Sequence, residues 1–434
     1  MPNVFAKELQ NLGGHMDIEE IARKIESAGG RLYLVGGALR DAALDRQIED
    51  KDYCVVGITS EKFINLFPEA KVIGKAFQVF QIEKNEFALA RIEKKVGVGH
   101  KEFDIIANQD VTIEEDLERR DITINSIAKD VLTKEIVDPF NGMEDLVNGI
   151  IRATSSKFKE DPLRVYRVAR FAATLGFKVE PRTIKFMKEL REELYTLSKE
   201  RVFIEFKKAL EADKPSIFFN TLKDANVLDI HFKEIYDLIG SIQPAKYHPE
   251  GDSYNHTMLA LDNSARLTKD VKIRFSTLVH DLGKGLTPKE MYPHHYGHDR
   301  RGVEPLKELC KRIGVPTEWK QCGIIAIEEH MKGGIFFKMS PSKQVNFIEK
   351  VYSSRLKLEG MQIVVYSDRA RSYEQEIIDE QYNFVDLGNM LINEIDGKFI
   401  KEKYDIEEGE QFGKKLHEER VNWMKKQREI EENL

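Results

Sequence analysis

The stretch LVGGALRD at residues 34–41 decides the fold of the first third of the chain. It continues an apolar, β-rich run and places two glycines where a strand gives way to a helix. A second strand, DKDYCVVGI at 50–58, follows, and residues 78–92 are predicted to form a hairpin that turns at Lys84-Asn85. The pattern therefore predicts a strand–turn–helix–strand α/β head that ends near Pro139.

Helical spacing dominates the segments on either side of this head. Ile18, Ile21 and Ile25 recur at helical spacing, so residues 1–28 are predicted to form a leading helix. Beyond the head, the pattern is helical almost throughout. Residues 398–434 alternate in charge at helical spacing, which predicts a solvated terminal helix.

The composition of the 434-residue chain is that of a globular protein, with 41% hydrophobic and 32% charged residues. No stretch reaches the roughly 20 apolar residues that span a bilayer, and the first residues lack the apolar core of a secretory signal. We therefore expect a cytoplasmic protein without a membrane partner. The three cysteines lack metal-type spacing and are predicted to be reduced thiols.

The charge of the chain is unevenly distributed. A net charge of −7 argues against a nucleic-acid-binding surface that covers the whole protein. Residues 157–208, however, contain 14 Lys and Arg residues against 8 Asp and Glu residues. This segment is therefore predicted to face RNA.

Asp50 and Asp52 are the candidate catalytic residues of the head. On a strand, residues two apart face the same side, so both carboxylates can hold divalent cations such as Mg²⁺. Nucleotidyl transfer uses such a pair to activate a 3′-hydroxyl and to bind a triphosphate. An isolated pair of this kind is more often a solvated acidic loop. The glycine turn upstream, with Arg40 beside it, favours the catalytic interpretation because its bare backbone can approach phosphates.

Two further runs bring arginines to this region of the sequence. Arg120, in LERRD at 117–121, would bind phosphate oxygens, or it belongs to a salt-bridged helix face. In EDPLRVYRVARF at 160–171, Asp161 and Arg164 are predicted to share one helix face. They form either a surface ion pair or a pair of hydrogen-bonding groups that matches the edge of a base.

In this order, the runs resemble the class II tRNA nucleotidyltransferase family, which includes CCA-adding enzymes and bacterial poly(A) polymerases. The likeness covers nearly the whole chain and includes ERVFIE at 200–205 as a neck motif. It implies that Asp50 and Asp52 hold Mg²⁺ and that Asp161 and Arg164 select CTP or ATP. It also implies that five further residues contact the nucleotide: Gly37, Arg40, Arg120, Arg167 and Arg170.

One departure from the family concerns a third acid. The strand at 87–93 has alanines where many relatives have a carboxylate. Glu86 and Glu93 are the two possible substitutes, and the sequence does not decide between them.

Histidines cluster in the second half of the chain. Seven of the 11 histidines lie between His248 and His330, whereas a random scatter would place about two there. Imidazole and carboxylate together suit a transition metal better than Mg²⁺. A single helical histidine such as His330 is more often a satisfied core residue, but the clustering argues for a metal site.

This cluster resembles the HD phosphohydrolase superfamily. The likeness implies four metal ligands, His256, His280, Asp281 and Asp368, with His298 and His330 as extra ligands where two metals bind. The metal is expected to be Ni²⁺, Mn²⁺, Co²⁺ or Fe²⁺. Such a site could hydrolyse phosphomonoesters or 2′,3′-cyclic phosphates.

The joined resemblances imply an enzyme that adds CCA to tRNA from CTP and ATP and carries a second, phosphohydrolase site. Alternatives are a partial enzyme that adds only CC or only A, a poly(A) polymerase, a phosphohydrolase whose head merely docks RNA, and a structural RNA-binding protein. The protein is expected to be a monomer or a homodimer.

The fold class implied is an α+β head with a small mixed β-sheet, followed by an all-α neck, HD body and tail. The predicted boundaries are an extension at 1–28, the head at 29–140, the neck at 141–240, the HD domain at 241–370 and the tail at 371–434.

Overall fold

The computed structural model describes residues 17–48, 50–73, 79–95, 103–106, 109–246, 248–369, 383–404 and 409–432. The chain divides into two compact units. The first unit contains residues 1–168 and 177–197, and the second contains residues 169–176 and 198–434. The elements below are numbered in chain order.

A seven-stranded mixed sheet forms the centre of the first unit. Its strands are β1 Arg31–Val35, β2 Asp52–Val56, β3 Lys71–Ile73, β4 Val79–Ile82, β5 Asn85–Leu89, β8 Ala128–Asp130 and β9 Ile136–Val137. Their spatial order is β3-β4-β5-β2-β1-β8-β9. β2 is antiparallel to β1 and parallel to β5, which makes the sheet mixed, as predicted.

Four shorter strands form two separate pairs. β6 Ile92–Lys95 pairs with β7 Phe103–Ile106, and β10 Ile150–Ile151 pairs in parallel with β11 Lys178–Val179. The sequence pattern predicted helices almost throughout the chain beyond the head, so the β10–β11 pair was missed. A strand of two residues is too short to show an alternating pattern in the sequence.

Both faces of the large sheet are buried. Alternate residues of β1 point to opposite sides, so Leu32 joins one apolar cluster while Tyr33 and Val35 join another. The Leu32 cluster also contains Ile21 and Ile25 of the first helix, which confirms the predicted amphipathic helix for the described residues 17–28. Residues 1–16 lie outside the described part of the chain.

The predicted hairpin is present, but its turn lies one residue earlier than expected. Ile82 pairs with Asn85, so the turn residues are Glu83 and Lys84 and not Lys84-Asn85. Glu83 adopts a left-handed conformation with φ of 54°. Asparagine tolerates that conformation better than glutamate, which explains why the sequence pointed to the wrong pair.

Helices make up the rest of both units. Those that begin in the first unit are α1 Ile18–Ser27, α2 Gly37–Ala43, α3 Ser60–Leu66, α4 Ile113–Glu118, α5 Gly142–Asn148, α6 Leu163–Leu175 and α7 Pro181–Glu189. The second unit contains α8 Lys199–Leu210, α9 Ser216–Asp224, α10 Leu228–Tyr236, α11 Ser253–Leu267, α12 Val271–Val279, α13 His298–Arg301, α14 Val303–Ile313, α15 Thr317–Gly334, α16 Pro341–Ser353, α17 Lys357–Arg369, α18 Val385–Glu394, α19 Gly397–Tyr404 and α20 Glu410–Glu432. None of the described helices is long and apolar enough to cross a membrane.

The C-terminal helices are less exposed than predicted. Residues 398–434 contain parts of two helices, α19 and α20, where one solvated helix was expected. Trp423 and Met424 of α20 are buried in the apolar cluster of the second unit. The charged pattern therefore describes only the outer face of α20. The three cysteines are buried and unpaired, as predicted.

Arg274 of α12 ties together three segments of the second unit. Its side chain is fully buried and donates to four backbone carbonyls. The acceptors are Leu210 at 2.6 Å, Ala212 at 2.8 Å, Ala265 at 3.0 Å and Thr268 at 2.8 Å. These bonds join the end of α8 and the end of α11 to α12.

Replacing Arg274 with Met should lower the free energy of unfolding of the second unit by about 3 kcal/mol, because buried carbonyls lose their donor. Lys272→Met, on the same helix, removes only an exposed ion pair with Glu318 and should cost less than about 1 kcal/mol. Both tryptophans of the chain lie in the second unit, so urea unfolding followed by tryptophan fluorescence reports on this unit. Equal losses for the two variants would contradict the assigned role.

Candidate active sites

The glycine turn of the head lies between β1 and α2, as the sequence predicts. Gly36 has a φ of 73°, a conformation that favours glycine. A Cβ atom on Gly36 would lie 3.1 Å from Nη1 of Arg120, and one on Gly37 would lie 3.3 Å from Nη2 of Arg40. The bare backbone therefore lets two of the predicted arginines come close to the turn.

Asp52 is the first residue of β2, next to this turn. In the sheet it pairs with Val35 on one side and with Glu86 on the other. Asp50 lies in the loop before β2, so the prediction that both aspartates belong to one strand is wrong. The strand begins where pairing with β1 begins. Glu86 is therefore adjacent to Asp52 across the sheet, whereas the side chain of Glu93 lies outside the described residues.

A cavity of about 270 Å³ opens over this edge of the sheet. Asp52, Glu86, Arg119 and Arg120 are among the residues that line it. Burial raises the pKa of the Asp52 carboxyl, the charge of Arg120 lowers it, and the charge of Asp50 raises it; the net change is upward. Burial of the Asp52 carboxyl thus outweighs the compensating charge of Arg120, and a bound cation would offset the cost of burying this negative charge.

In the described part of the head, no three carboxylate or imidazole ligand atoms lie within 4.8 Å of one another. A divalent ion held by Asp50 and Asp52 would therefore need ligands from its substrate or from water, which suits Mg²⁺.

The tandem arginines hold a buried carboxylate while lining the cavity. Asp116 accepts hydrogen bonds from Arg119 (2.6 Å to Nη2) and from Arg120 (3.1 Å to Nη2). Burial alone would raise the pKa of Asp116, but the two guanidinium groups outweigh it and lower the pKa. The salt-bridged interpretation of the arginine run is confirmed, and the same residues line the cavity of Asp52. Asp116 precedes Arg119 by three residues and Arg120 by four, the spacing of neighbours on one helix face. The sequence therefore contained a signal for Asp116 that the prediction did not use.

Asp121 joins two of the predicted nucleotide-contacting arginines. Arg40 donates to Oδ1 of Asn125 (2.8 Å), and Asn125 donates to Oδ1 of Asp121 (3.1 Å). Arg167 donates to Oδ2 of Asp121 (2.7 Å). Burial would raise the pKa of Asp121, but Arg167 and the hydrogen bond from Asn125 lower it overall. Asp121 and Asn125 are thus positioning residues that the sequence analysis missed.

Asp161 and Arg164 do not share a helix face. α6 begins at Leu163, and Asp161 precedes it in extended backbone, where its Oδ1 accepts from the Leu163 amide at 3.0 Å. The proline at 162 is compatible with the start of a helix, which sets this boundary. The buried guanidinium of Arg164 donates to the carbonyls of Lys157 (2.7 Å) and Arg119 (2.5 Å).

Arg170, the last of the predicted nucleotide contacts, lies on the part of α6 that belongs to the second unit. Its Nε donates to the buried carboxylate of Glu205 at 2.5 Å, and its guanidinium stacks on the Phe171 ring at 3.8 Å. Glu205 ends the predicted neck motif, so this motif supplies the counter-charge of Arg170.

The six predicted ligands of the second half converge on one point, which we call the histidine–aspartate site. Their positions are His256 on α11, His280 and Asp281 directly after α12, His298 on α13, His330 on α15 and Asp368 on α17. His256, His280 and Asp281 are at most 1% exposed. Helices far apart in sequence therefore bring the ligands together.

Asp281 is shared by two groups of ligands. Its Oδ2 lies 3.2 Å from Nε2 of His280 and 3.6 Å from Nε2 of His256. Its Oδ1 lies 3.2 Å from Nε2 of His298 and 3.5 Å from Nε2 of His330. Asp368 completes the first group, with Oδ1 at 2.8 Å from Nε2 of His256. The arrangement can hold two ions with Asp281 between them.

The imidazoles are oriented as metal ligands. Nδ1 of His280 donates to the Thr277 carbonyl (2.6 Å), and Nδ1 of His298 donates to the His295 carbonyl (2.8 Å). Nδ1 of His330 likewise bonds to backbone carbonyls, so each Nε2 is left to face Asp281. Nε2 of His280 and Oδ1 of Asp281 are buried without a hydrogen-bond partner in the described chain. Such orphaned atoms fit a metal ion.

The site concentrates negative charge. Burial lowers the pKa of His280, but Asp281 and Asp368 outweigh this effect and raise it to about 10. Burial would raise the pKa of Asp281, yet His280 and Lys284 hold it well below its usual range. The negative charge of Asp281 and Asp368, which retains a proton on His280, would also attract a metal cation.

Three residues that the sequence analysis missed support these ligands. Glu250 accepts from Nδ1 of His256 at 2.7 Å, and Lys284 lies 2.6 Å from Oδ2 of Asp281. A Cβ atom on Gly283 would lie 2.0 Å from the carbonyl oxygen of His298, so this glycine permits the approach of α13. No pattern in the sequence pointed to Glu250, because a single acid six residues from a histidine is ordinary.

Comparisons with known proteins match each part of the chain. The family described as "Poly A polymerase head domain" matches residues 32–152, "Probable RNA and SrmB- binding site of polymerase A" matches 176–238, and "HD domain" matches 253–363. The "Multifunctional CCA protein" of Shewanella denitrificans is 44% identical over 327 residues, 74% of this chain and 78% of the relative. That of Mannheimia succiniciproducens is 42% identical over 350 residues, 77% and 83% of the two chains.

Solved structures share the fold. A CCA-adding enzyme in its apo form II superposes with a TM-score of 0.63 at 18% identity, covering 96% of this chain and 94% of that one. A complex of a CCA-adding enzyme with CTP gives a TM-score of 0.63 at 20% identity, covering 94% and 92%. These confirm the predicted fold class, and with the sequence relatives they show that the chain belongs to the family of multifunctional CCA proteins, nucleotidyltransferases with an HD domain.

Proposed function

We propose that this enzyme adds CCA to the 3′ end of tRNA from CTP and ATP, without copying a nucleic-acid template. The observation that carries the proposal is the placement of Asp52, Glu86 and Arg120 around one cavity beside the glycine turn. This arrangement combines acids that suit a divalent cation with an arginine that suits a phosphate. The family relatives, which are named for CCA, support the specific reaction.

Each side chain of the head has a proposed role. Asp50 and Asp52 hold Mg²⁺, which when bound supplies charge stabilisation for the triphosphate. Arg120, which approaches the backbone of Gly36, contacts phosphate oxygens. Gly37 approaches the nucleotide with its bare backbone, and Arg40 and Arg167, both tied to the Asp121 network, contact the nucleotide. Arg170 is a further proposed nucleotide contact.

Base selection is proposed for Asp161 and Arg164. Arg164 presents its guanidinium to two backbone carbonyls, so it can contact a base only if it exchanges one of them or uses its remaining donors. Asp161 caps the first turn of α6, which places its carboxylate beside the same helix end. The basic segment 157–208 is the proposed RNA-facing surface, and it overlaps the match to the RNA-binding family.

For the second unit we propose a phosphohydrolase active on phosphomonoesters or 2′,3′-cyclic phosphates. His256, His280, Asp281 and Asp368 would hold one metal ion, and Asp281, His298 and His330 a second. Ni²⁺, Mn²⁺, Co²⁺ or Fe²⁺ suits this ligand set and would supply Lewis-acid catalysis. His280 and Lys284 keep the Asp281 carboxylate ionised, and Glu250 orients His256.

Asp52→Asn should reduce nucleotide addition more than about 100-fold, because it removes a metal-binding charge and leaves the shape of the side chain unchanged. The assay incubates tRNA lacking CCA with CTP alone, with ATP alone and with both, and resolves the products by length. Wild type should add two residues with CTP alone and complete CCA with both. Glu69→Gln, at an exposed acid of the same unit, should extend tRNA like wild type.

Undiminished extension by Asp52→Asn would refute the head site. Extension of wild type by only CC or only A would identify a partial enzyme, and unlimited extension with ATP would identify a poly(A) polymerase.

His280→Ala should abolish hydrolysis of 2′,3′-cyclic AMP and leave tRNA extension at the wild-type rate, because the two sites lie in different compact units. His417→Ala removes a histidine of the same unit outside the site and should retain hydrolysis. Tryptophan fluorescence of both variants checks that the second unit is folded. Loss of both activities in folded His280→Ala would show that the two sites are not independent.

Metal binding should release a proton at neutral pH. Without metal, His280 has a pKa of about 10 and is protonated at pH 7, so an incoming ion displaces that proton. The affinity for Mn²⁺ should therefore rise about tenfold per pH unit between about pH 6 and pH 8. Calorimetric titration with Mn²⁺ in two buffers of different ionisation enthalpy measures the released proton. An enthalpy that is the same in both buffers would contradict the prediction.

A further inference from the structure

Two aromatic rings stand at the mouth of the cavity above the histidine–aspartate site. The rings of His294 and Tyr296 are stacked, with centroids 5.5 Å apart and planes inclined by 21°. Tyr296 is 72% exposed, and within the described chain its hydroxyl has no hydrogen-bond partner. Neither ring contributes to the apolar core or to the ligand groups of the site. An exposed, preformed stack of this kind is suited to a planar ligand.

His295 lies between these two residues in the sequence and anchors their loop. His295 is turned inward, with Nδ1 at 2.9 Å from Oγ1 of Thr287 and Nε2 at 2.9 Å from the carbonyl oxygen of Ile242. Its ring also packs against Tyr292, with centroids 5.4 Å apart. His295 is thus buried and anchored on both ring nitrogens, whereas His294 and Tyr296 on either side of it are exposed. These contacts anchor the loop that carries the stacked rings of His294 and Tyr296, which we call the aromatic platform.

The cavity offers the rest of a nucleotide site. Its volume is about 480 Å³, within the range of small-molecule pockets. Lys284 and Arg369 line it together with four of the proposed metal ligands, and Met331 and Ile335, about half exposed, add apolar surface. His298, a proposed ligand, follows Tyr296 by two residues, so one short loop carries both the aromatic platform and a metal ligand. The cavity thus combines a phosphoester-binding end with a surface for an aromatic ring.

We propose that His294 and Tyr296 stack against the nucleobase of the substrate and so act as specificity-determining residues of the histidine–aspartate site. The inference rests on the proposed phosphohydrolase function and names the residues that would recognise the base of its substrate. The shared chemistry is a base joined through ribose to the reacting phosphate, whether in a free nucleotide or at the 3′ end of an RNA. Stacking on an aromatic side chain strengthens the binding of a base by about tenfold, which is enough to distinguish a nucleoside phosphoester from an ester without a base.

The test compares 2′,3′-cyclic AMP with glycerol 1,2-cyclic phosphate, which has the same cyclic ester and no base. Tyr296→Ala should raise KM for 2′,3′-cyclic AMP about tenfold, with kcat changed less than about twofold, because stacking binds a part of the substrate remote from the reaction. KM for the glycerol ester should not change. Tyr296→Phe is the matched control, since it retains the ring, and it should resemble wild type on both esters.

An equal change in KM on both esters, or no change on 2′,3′-cyclic AMP, would overturn the proposal. A short oligoribonucleotide that ends in a 2′,3′-cyclic phosphate separates the two sources of substrate. If Tyr296→Ala weakens this substrate at least as much as the mononucleotide, the platform serves RNA ends; if it weakens only the mononucleotide, it serves free nucleotides.

A binding measurement separates this proposal from the phosphohydrolase function itself. If wild type hydrolyses neither cyclic ester with any of the four metals, the proposed hydrolase activity fails. Calorimetry with Mn²⁺-loaded protein then compares AMP with ribose 5-phosphate. Tighter binding of AMP that is lost in Tyr296→Ala would still support the base platform, and equal binding of the two ligands would overturn it.

Discussion

Asp281 is 1% exposed and faces four imidazole rings and an ammonium group, so water cannot stabilise its charge. A buried carboxylate must be compensated by the protein or by a bound cation. In the second unit, the histidines that face Asp281 come from helices separated by up to some seventy residues of sequence. The need to compensate the charge of Asp281 therefore brings the ends of these helices together. The Nδ1 atoms of these histidines form hydrogen bonds with backbone carbonyls or with Glu250, so only their Nε2 atoms face the charge of Asp281.

The head satisfies the same requirement with a different cation. Asp116 and Asp121 are compensated by Arg119, Arg120 and Arg167, whose guanidinium groups stay charged at any physiological pH. A permanent positive charge suits a site that receives a triphosphate. Imidazoles can instead give up their proton and offer a lone pair, which suits a site that receives a metal. The choice between arginine and histidine as the partner of a buried acid thus separates the chemistry of the two units.

The sequence predicted the fold class, the glycine turn and the residues that converge in the second unit, because these depend on local pattern and on residue type. It did not predict that Glu86 lies beside Asp52, since strand register depends on pairing partners that periodicity does not reveal. It placed Asp161 on a helix that begins two residues later, and it missed Glu250, whose role exists only once His256 is folded against it. Positions that act through another residue were the ones the sequence could not show.

The contact between Gly283 and the carbonyl of His298 has a consequence for how relatives of this chain are interpreted. A comparison that checks only for histidines and aspartates would score a relative as intact even if a bulkier residue replaced this glycine. In such a relative the helix that begins at His298 could not approach Asp281 as closely, since a Cβ atom would occupy the space of the carbonyl oxygen. A residue with no functional group is therefore an informative marker of whether the histidine–aspartate site of a relative can still assemble.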